Sequence, residues 1–396
     1  SVLCPHGASH CSRRRGIDTV VTYLDGLIAA LQVERNALAP ISALPDELLS
    51  KIFDGIGAFP SLQVMLVCRH WHEVALSSPA LWSNLEFTWR LCPQRFLSQL
   101  QRSKTAKLTV KIECMDSSFV IPWILANANR LMVLDLAGER HHVLDAMHQM
   151  RRYDFPILRT LCLSPHAEGD SDTTAIFPSD LLDRRVPCLR KLTLCHIDAP
   201  WQSLSCLNSL TLFGSPATPP IFLHDLLSVL RACPDLRDLR LNTILDHGII
   251  DHYGLAALPL LEHLDLREHI SCCEALLGHL SFPDSTRLDL YPLGITAGDA
   301  VRSILVRVRK HLRALSAPQP TMLKLSVLQP SDSDPDPEDP DGPVCHCTIK
   351  TFLKAALPVS SAHPVLFSIN SHPETARAQR QILTKVLKTF RADAIT

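Results

Sequence analysis

Beyond residue 130 one short pattern returns repeatedly: Leu, two residues, Leu, one residue, Leu. It stands at Leu131/Leu134/Leu136, Leu158/Leu161/Leu163, Leu189/Leu192/Leu194, Leu207/Leu210/Leu212, Leu236/Leu239/Leu241 and Leu261/Leu264/Leu266. Weaker copies end at Val110, Leu290 and Leu325. Leucines two apart suit a strand with one buried face. The spacing between copies averages about 27 residues, a period at which chains stack repeated units instead of closing one core. Several copies are preceded by an apolar residue and a proline: Phe155-Pro156, Val186-Pro187, Cys233-Pro234, Leu258-Pro259 and Phe282-Pro283. Proline cannot continue a helix and biases the residue before it toward extended backbone, so each such pair ends a helix just ahead of a strand. Helical patterns fill the intervals, clearest at Phe222 to Ala232, Cys272 to Leu280 and Ala300 to Leu315. Strand then helix, repeated, predicts a right-handed α/β solenoid in which each unit buries its leucines against its neighbours.

The array resembles leucine-rich repeats, which implies a horseshoe with strand residues on its concave face. It departs from the standard repeat where an Asn would follow three positions after the last Leu; Glu139, His166, Ile197, Ser215 and Ile244 stand there. Intervals of 18 and 35 residues also break the regularity. Alternation sends the residues between the leucines to the concave face. The middle of that face is small and nearly neutral, with Thr160/Cys162/Ser164, Lys191/Thr193/Cys195 and Ser209/Thr211/Phe213. The last three strands carry Asp238/Arg240/Asn242, His263/Asp265/Arg267 and Arg287/Asp289/Tyr291. Opposite charges there can simply satisfy one another, each pair worth roughly 0.2 to 1 kcal/mol. Alternatively Arg240, His263, Asp265, Arg267, Arg287, Asp289 and Tyr291 contact a protein client, since Arg and Tyr are enriched at interface hot spots.

Ahead of the array lies a short unit with a different logic. Pro45 fits the first turn of a helix, and Asp46 and Glu47 complement its positive dipole end. Leu48, Leu49, Ile52, Phe53 and Ile56 follow at helical spacing, then Gly55, Gly57 and Pro60 end the run. Ser61 is a candidate N-cap for a second helix through Leu62, Met65, Leu66 and Cys68, and Trp71, Val74 and Ala75 continue the pattern to Pro79. About 45 residues cannot bury a large core, yet this segment spends many positions on large apolar side chains. They are either all core or shared with a partner.

Leu44-Pro45, Leu48-Leu49, Ile52-Phe53, Val67-Cys68-Arg69-x-Trp71 and Leu81-Trp82 together resemble an F-box, of the fungal (basidiomycete) type. The resemblance implies a docking site for a Skp-family adaptor and, through it, a cullin-RING ubiquitin ligase. It assigns Leu44, Pro45, Leu48, Leu49, Ile52 and Phe53 to the adaptor face, with Val67, Cys68, Trp71, Leu81 and Trp82 mostly beneath it. Before this unit, Ile17, Val20, Val21, Leu24, Leu27, Ile28 and Leu31 form an amphipathic lead-in helix. Its two heptads are short for a dimerising seam, so packing on the F-box is expected.

The division that follows is a tail at 1–15, a lead-in helix at 16–39, the F-box at 40–88, degenerate repeats at 89–328, an acidic Pro-rich disordered loop at 329–343, and a strand with a capping helix at 344–396. A composition 46% hydrophobic and 20% charged belongs to a globular protein. With 39 Lys+Arg against 40 Asp+Glu, no global field favours nucleic acid or an anionic membrane. No run of 18 uninterrupted apolar residues predicts a transmembrane helix, and the amino end lacks a signal-peptide pattern. The 14 Cys are scattered through apolar patterns, as expected of reduced thiols inside a cell, in cytoplasm or nucleus.

No cofactor or metal is expected; Cys4, His6, His10 and Cys11 are crowded without paired ligand spacing, and Cys345-His346-Cys347 reads as strand alternation. No Gly-x-Ser-x-Gly elbow, phosphate-binding Gly-rich loop or His-Glu-x-x-His occurs, and His72-Glu73 is followed by Leu76 where the second His would stand. Two functions fit: a ligase substrate receptor without catalysis of its own, or a repeat scaffold whose F-box face is buried by the lead-in helix. A hydrolase using scattered Ser and His would need a pocket with converging polar groups.

Overall fold

The computed structural model describes residues 6–56, 61–88, 92–114, 119–166, 175–181, 185–214, 218–246, 254–283 and 285–290, and the backbone of three further strands at 322–328, 346–352 and 366–371. The chain divides into two compact units, Ser1–Glu86 with Cys92–Leu108, and Phe87–Leu91 with Thr109–Thr396.

The first unit contains α1 (His6–Ala37), α2 (Asp46–Ile56), α3 (Ser61–Val64), α4 (Arg69–Ser77), a 3-10 turn at Pro79–Trp82, the start of β1 (Asn84–Thr88) and α5 (Pro93–Arg102). Pro45 sets the start of α2 as its sequence requires: its carbonyl accepts from Leu48 N at 3.0 Å and Leu49 N at 3.1 Å. Leu49, Phe53, Val64, Val74, Ala75, Leu81 and Trp82 form the core, with Leu44, Met65, Trp71 and Leu76 packed against it. The Phe53 and Trp71 rings meet at 4.9 Å between centroids. Trp82 is buried, so its indole N–H needs a partner; it donates to Ala75 O at 2.8 Å, while the Arg102 guanidinium lies 4.6 Å over its ring.

Helix α1 differs from expectation in two ways. It begins at His6, so residues read as tail are helical. It also does not pack on the unit: Ile17, Val20, Val21, Leu24, Leu27, Ile28 and Leu31 are 45 to 70% exposed. The core of the unit is closed without it, by α2, α3, α4 and the 3-10 turn. By length and mean hydropathy (1.3) the stretch Arg14–Ala37 is apolar enough to cross a membrane, although Asp18 and Asp25 interrupt it.

The second unit follows with β2 (Leu108–Cys114), α6 (Ile121–Leu125), β3 (Leu131–Gly138), α7 (Arg140–Met150), β4 (Thr160–Pro165), β5 (Ala175–Ile176), β6 (Lys191–Cys195), β7 (Ile197–Asp198), β8 (Ser209–Phe213), α8 (Leu223–Ala232), β9 (Asp238–Asn242), β10 (Ala256–Ala257), β11 (His263–Arg267), α9 (Ile270–His279), β12 (Leu280–Ser281) and β13 (Arg287–Leu290). Strands β2, β3, β4, β6, β8, β9, β11 and β13 lie side by side in that order. From β3 to β13 every pairing is parallel and in step. Leu134, Leu161, Leu192, Leu210, Leu239, Leu264 and Leu288 therefore form one unbroken row, and Leu136, Leu163, Leu194, Leu212, Leu241, Leu266 and Leu290 a second, none more than 3% exposed. Helices α7, α8 and α9 add apolar faces to the same core, with Met147, Met150, Leu226, Leu230 and Leu276 at 1% exposure or less.

The proline pairs do more than stop helices. Phe155 O accepts from Leu158 N, Val186 O from Leu189 N, Cys233 O from Leu236 N and Leu258 O from Leu261 N, at 3.1 to 3.3 Å. These four pairs thus open a β-turn with proline at its second position, where a fixed φ is favourable, whereas at the fifth Thr286 N donates to Pro283 O at 3.1 Å. At the entry to each of these strands, backbone bonds also link successive copies: Arg159 N to Met132 O, Asn208 N to Arg190 O, Arg237 N to Asn208 O and Glu262 N to Arg237 O one residue before the strand, and Arg287 N to Glu262 O at the first residue of β13, all 2.7 to 2.8 Å.

The small strands pair in parallel, β5 with β7 and β10 with β12. The copy ending at Leu325 departs from the expected array. It lies in β14 (Met322–Leu328), which pairs antiparallel with β15 (His346–Phe352), itself antiparallel to β16 (Leu366–Ser371). The expected helix at Ala300 to Leu315, the acidic loop at 329–343, the helix from Pro373, Cys4 and Cys345 lie outside the described residues.

Candidate functional site

On α2 the positions 45, 48, 52 and 56 share one side of the helix and 49 and 53 the adjoining side. Leu49 and Phe53 are 0% and 1% exposed, whereas Leu48, Ile52 and Ile56 are 45%, 43% and 47% exposed. The apolar arc is wider than the core can cover. Leu49 and Phe53, assigned from the sequence to a docking face, are core residues; Phe53 faces Trp71 and Leu49 is sealed beneath the helix. Pro45 is exposed and Leu44 half-buried against the core. Beneath the face, Leu81 and Trp82 are buried as expected, but Val67 is 56% exposed and its neighbour Leu66 85%. Around α2 the exposed apolar residues therefore include Pro45, Leu48, Ile52 and Ile56, with Leu66 and Val67 after α3.

The second group of site residues lies on the sheet face opposite the leucine rows. Register brings Asp238, His263 and Arg287 into one row, Arg240, Asp265 and Asp289 into the next, and Asn242 and Arg267 into a third. Tyr291 lies outside the described residues. The shortest ion pairs run along single strands, since side chains two apart share a face: Arg287 Nε to Asp289 Oδ2 at 3.0 Å and Arg267 Nε to Asp265 Oδ1 at 3.6 Å. The arginines are half exposed, so these pairs stabilise little. Asp265 stands between Arg240 and Asp289. Burial raises its carboxyl above the usual range, Arg267 opposes this, Asp289 adds to it and Arg240 again opposes. The buried Oδ1 of Asp289 accepts no hydrogen bond.

Farther back on this face Ser164 Oγ lies 3.2 Å from Cys195 Sγ and 3.6 Å from Cys162 Sγ. Burial pushes the Cys162 thiol up to about 12 and raises Cys195, so both are protonated and unreactive near neutrality.

Three further groupings escaped sequence reasoning. Glu139, His141 and His142 bring one potential ligand atom each within 4.8 Å of one another, with Glu139 Oε2 3.5 Å from His141 Nδ1 and 3.8 Å from His142 Nε2. They open α7, where the carboxylate pairs with either imidazole once it is protonated. His269 Nδ1 contacts Ser271 Oγ at 2.8 Å and accepts from Ser271 N. This Ser–His contact caps α9. A cleft of about 470 Å³ is lined by His148, Arg151, Phe177, Asp180 and Asp198 among others. Its Arg151 and Asp180 are paired with each other at 3.0 Å.

Comparison with known proteins bears on residues 41–88. Residues 41–88 match the family model described as F-box-like. A stretch of 123 residues, 29% of the chain, is 27% identical to an F-box/FBD/LRR-repeat protein of Arabidopsis thaliana. The chain spans about a quarter (27%) of that curated relative's length. Residues 41–88 are thus an F-box-like domain, and a mostly parallel sheet with helices follows it in the chain.

Proposed function

We propose that the chain is a client-recognition subunit of a Skp–cullin–F-box ubiquitin ligase, acting inside the cell. F-box domains generally bind Skp-type adaptors, and one observation carries the reading here. Within the F-box-like domain a row of apolar side chains on α2, Leu48, Ile52 and Ile56, stays close to half exposed beside a closed core. Apolar surface on a unit this small is costly unless a partner covers it. In this reading the parallel sheet continues as a leucine-rich-repeat horseshoe, and Arg240, His263, Asp265, Arg267, Arg287, Asp289 and Tyr291 bind a protein client. The chain itself supplies no catalytic group; it accelerates ubiquitin transfer by holding the client near the ligase.

The test is capture of the full chain by purified Skp adaptor. Leu44→Ala/Pro45→Ala and Leu48→Gln/Ile52→Gln should abolish capture while circular dichroism remains that of the parent. A parent chain that fails to bind overturns the reading. The competing scaffold reading needs the F-box face covered by α1, and the exposure of both the face and α1 speaks against it.

A further inference from the structure

Helix α1 carries an apolar seam that stays exposed, with no described residue of its own unit covering it. Ile17, Leu24, Leu31 and Leu38 recur every seven residues, with Val20 and Leu27 three positions after the first two. The bond from Leu38 N to Glu34 O, 3.2 Å, carries helical geometry to the last of them. The row at seven-residue spacing therefore spans three intervals and Leu38 is 85% exposed, while the second row ends after Leu27, since Glu34 stands three positions after Leu31. A sustained seven-residue repeat is the pattern two helices use to interdigitate.

We propose that α1 is a self-association helix and that its partner is α1 of a second copy of this chain. Three observations favour that occupant. First, the seven residues from Ile17 to Leu31 are on average about 55% exposed, which amounts to ~700 Å² per chain, close to the ~800 Å² per partner of a standard interface. Second, an identical seam on an identical chain is self-complementary, as a two-fold interface requires. Third, the charges disfavour a membrane span. Between Ile17 and Glu34 the charged residues are Asp18, Asp25 and Glu34, with Arg13, Arg14 and Arg15 before that stretch and Arg35 after it. A transmembrane helix would bury two aspartates in hydrocarbon. Asp18 and Asp25 stand beside the seam at positions that a paired helix leaves in water. The proposal is independent of adaptor binding.

Sedimentation velocity of the full chain across the micromolar range tests it. The parent should have twice the single-chain mass of 44.0 kDa. Leu24→Ala/Leu27→Ala, which keeps helix propensity while removing the seam, should return it to one chain mass, and Asp18→Ala/Asp25→Ala should remain at two. Circular dichroism checks that helix content is kept. A parent that stays at one chain mass overturns the proposal, as does a Leu24→Ala/Leu27→Ala variant that remains at two. A single-mass parent that also floats with phosphatidylcholine vesicles would assign the seam to lipid instead.

Discussion

Replacing Glu268 by Gln should remove a pH dependence from the stability of the second unit. Glu268 is 1% exposed; Oε1 accepts from Ile244 N at 2.8 Å and Oε2 from Leu245 N at 3.4 Å. Burial pushes its carboxyl from the ordinary 4.5 up to about 7, against the pull of those two N–H groups. Between these values the folded chain holds a proton that the unfolded chain has released. Stability therefore falls as pH rises through that window, and the contribution present below 4.5 is gone above about 7. At about 1.4 kcal/mol per pH unit the loss amounts to about 3 kcal/mol. Glutamine does not titrate. It keeps an acceptor for Ile244 N but sets an amine toward Leu245 N, a cost of about 1 kcal/mol. Urea unfolding followed by circular dichroism should find Glu268→Gln less stable than the parent by about 1 kcal/mol near pH 4.5, and more stable by about 2 kcal/mol near pH 8. Hydrogen exchange at residues 244–246 should localise the change. Parallel stability curves for the two proteins, with no crossing, would refute the reasoning.

Other outcomes follow from the same geometry. Leu49→Ala and Phe53→Ala should each destabilise the F-box-like unit by about 2–5 kcal/mol, whereas Leu48→Gln and Ile52→Gln should cost about 1 kcal/mol or less in chemical denaturation. A Cβ on Gly214 would lie 2.1 Å from the Thr243 carbonyl oxygen, so Gly214→Ala should cost about 1–3 kcal/mol or more as the β8 and β9 exits are forced apart, read as a fall in Tm. Trp82→Phe gives up the buried bond to Ala75 O and weakens the Arg102 stacking; thermal unfolding should show a loss of about 1–3 kcal/mol.

The leucine rows were fully legible because two neighbouring strands cannot slip by one residue without turning every leucine to water. The same alternation placed the charged rows of β9, β11 and β13. What stayed hidden was the division of the α2 apolar arc. Leu49 and Leu48 are chemically identical, and only the position of Trp71 and Trp82 decides which of them is core. For helix α1 the stripe itself is plain in the sequence, but a stripe does not say whether its neighbour belongs to the same unit. Glu268 looks like an ordinary surface acid; its signal is its place two residues beyond the last strand leucine, in a repeat array without the Asn that would otherwise satisfy loop N–H groups.

The proline turns bear on how this chain tolerates change in length. In each of the five copies, the first strand leucine stands six positions after the residue before proline, as in Phe155 to Leu161, Cys233 to Leu239 and Phe282 to Leu288. The distance from the last strand leucine to the next such pair varies, from 16 residues between Leu266 and Phe282 to 23 between Leu163 and Val186. Turn and strand act as a cassette of constant length, tied to the previous cassette by its own backbone bond, while the return segment absorbs insertions and deletions. Lineages can therefore gain or lose residues on the return side without shifting which side chains meet across the charged rows, and each row can be rewritten one residue at a time.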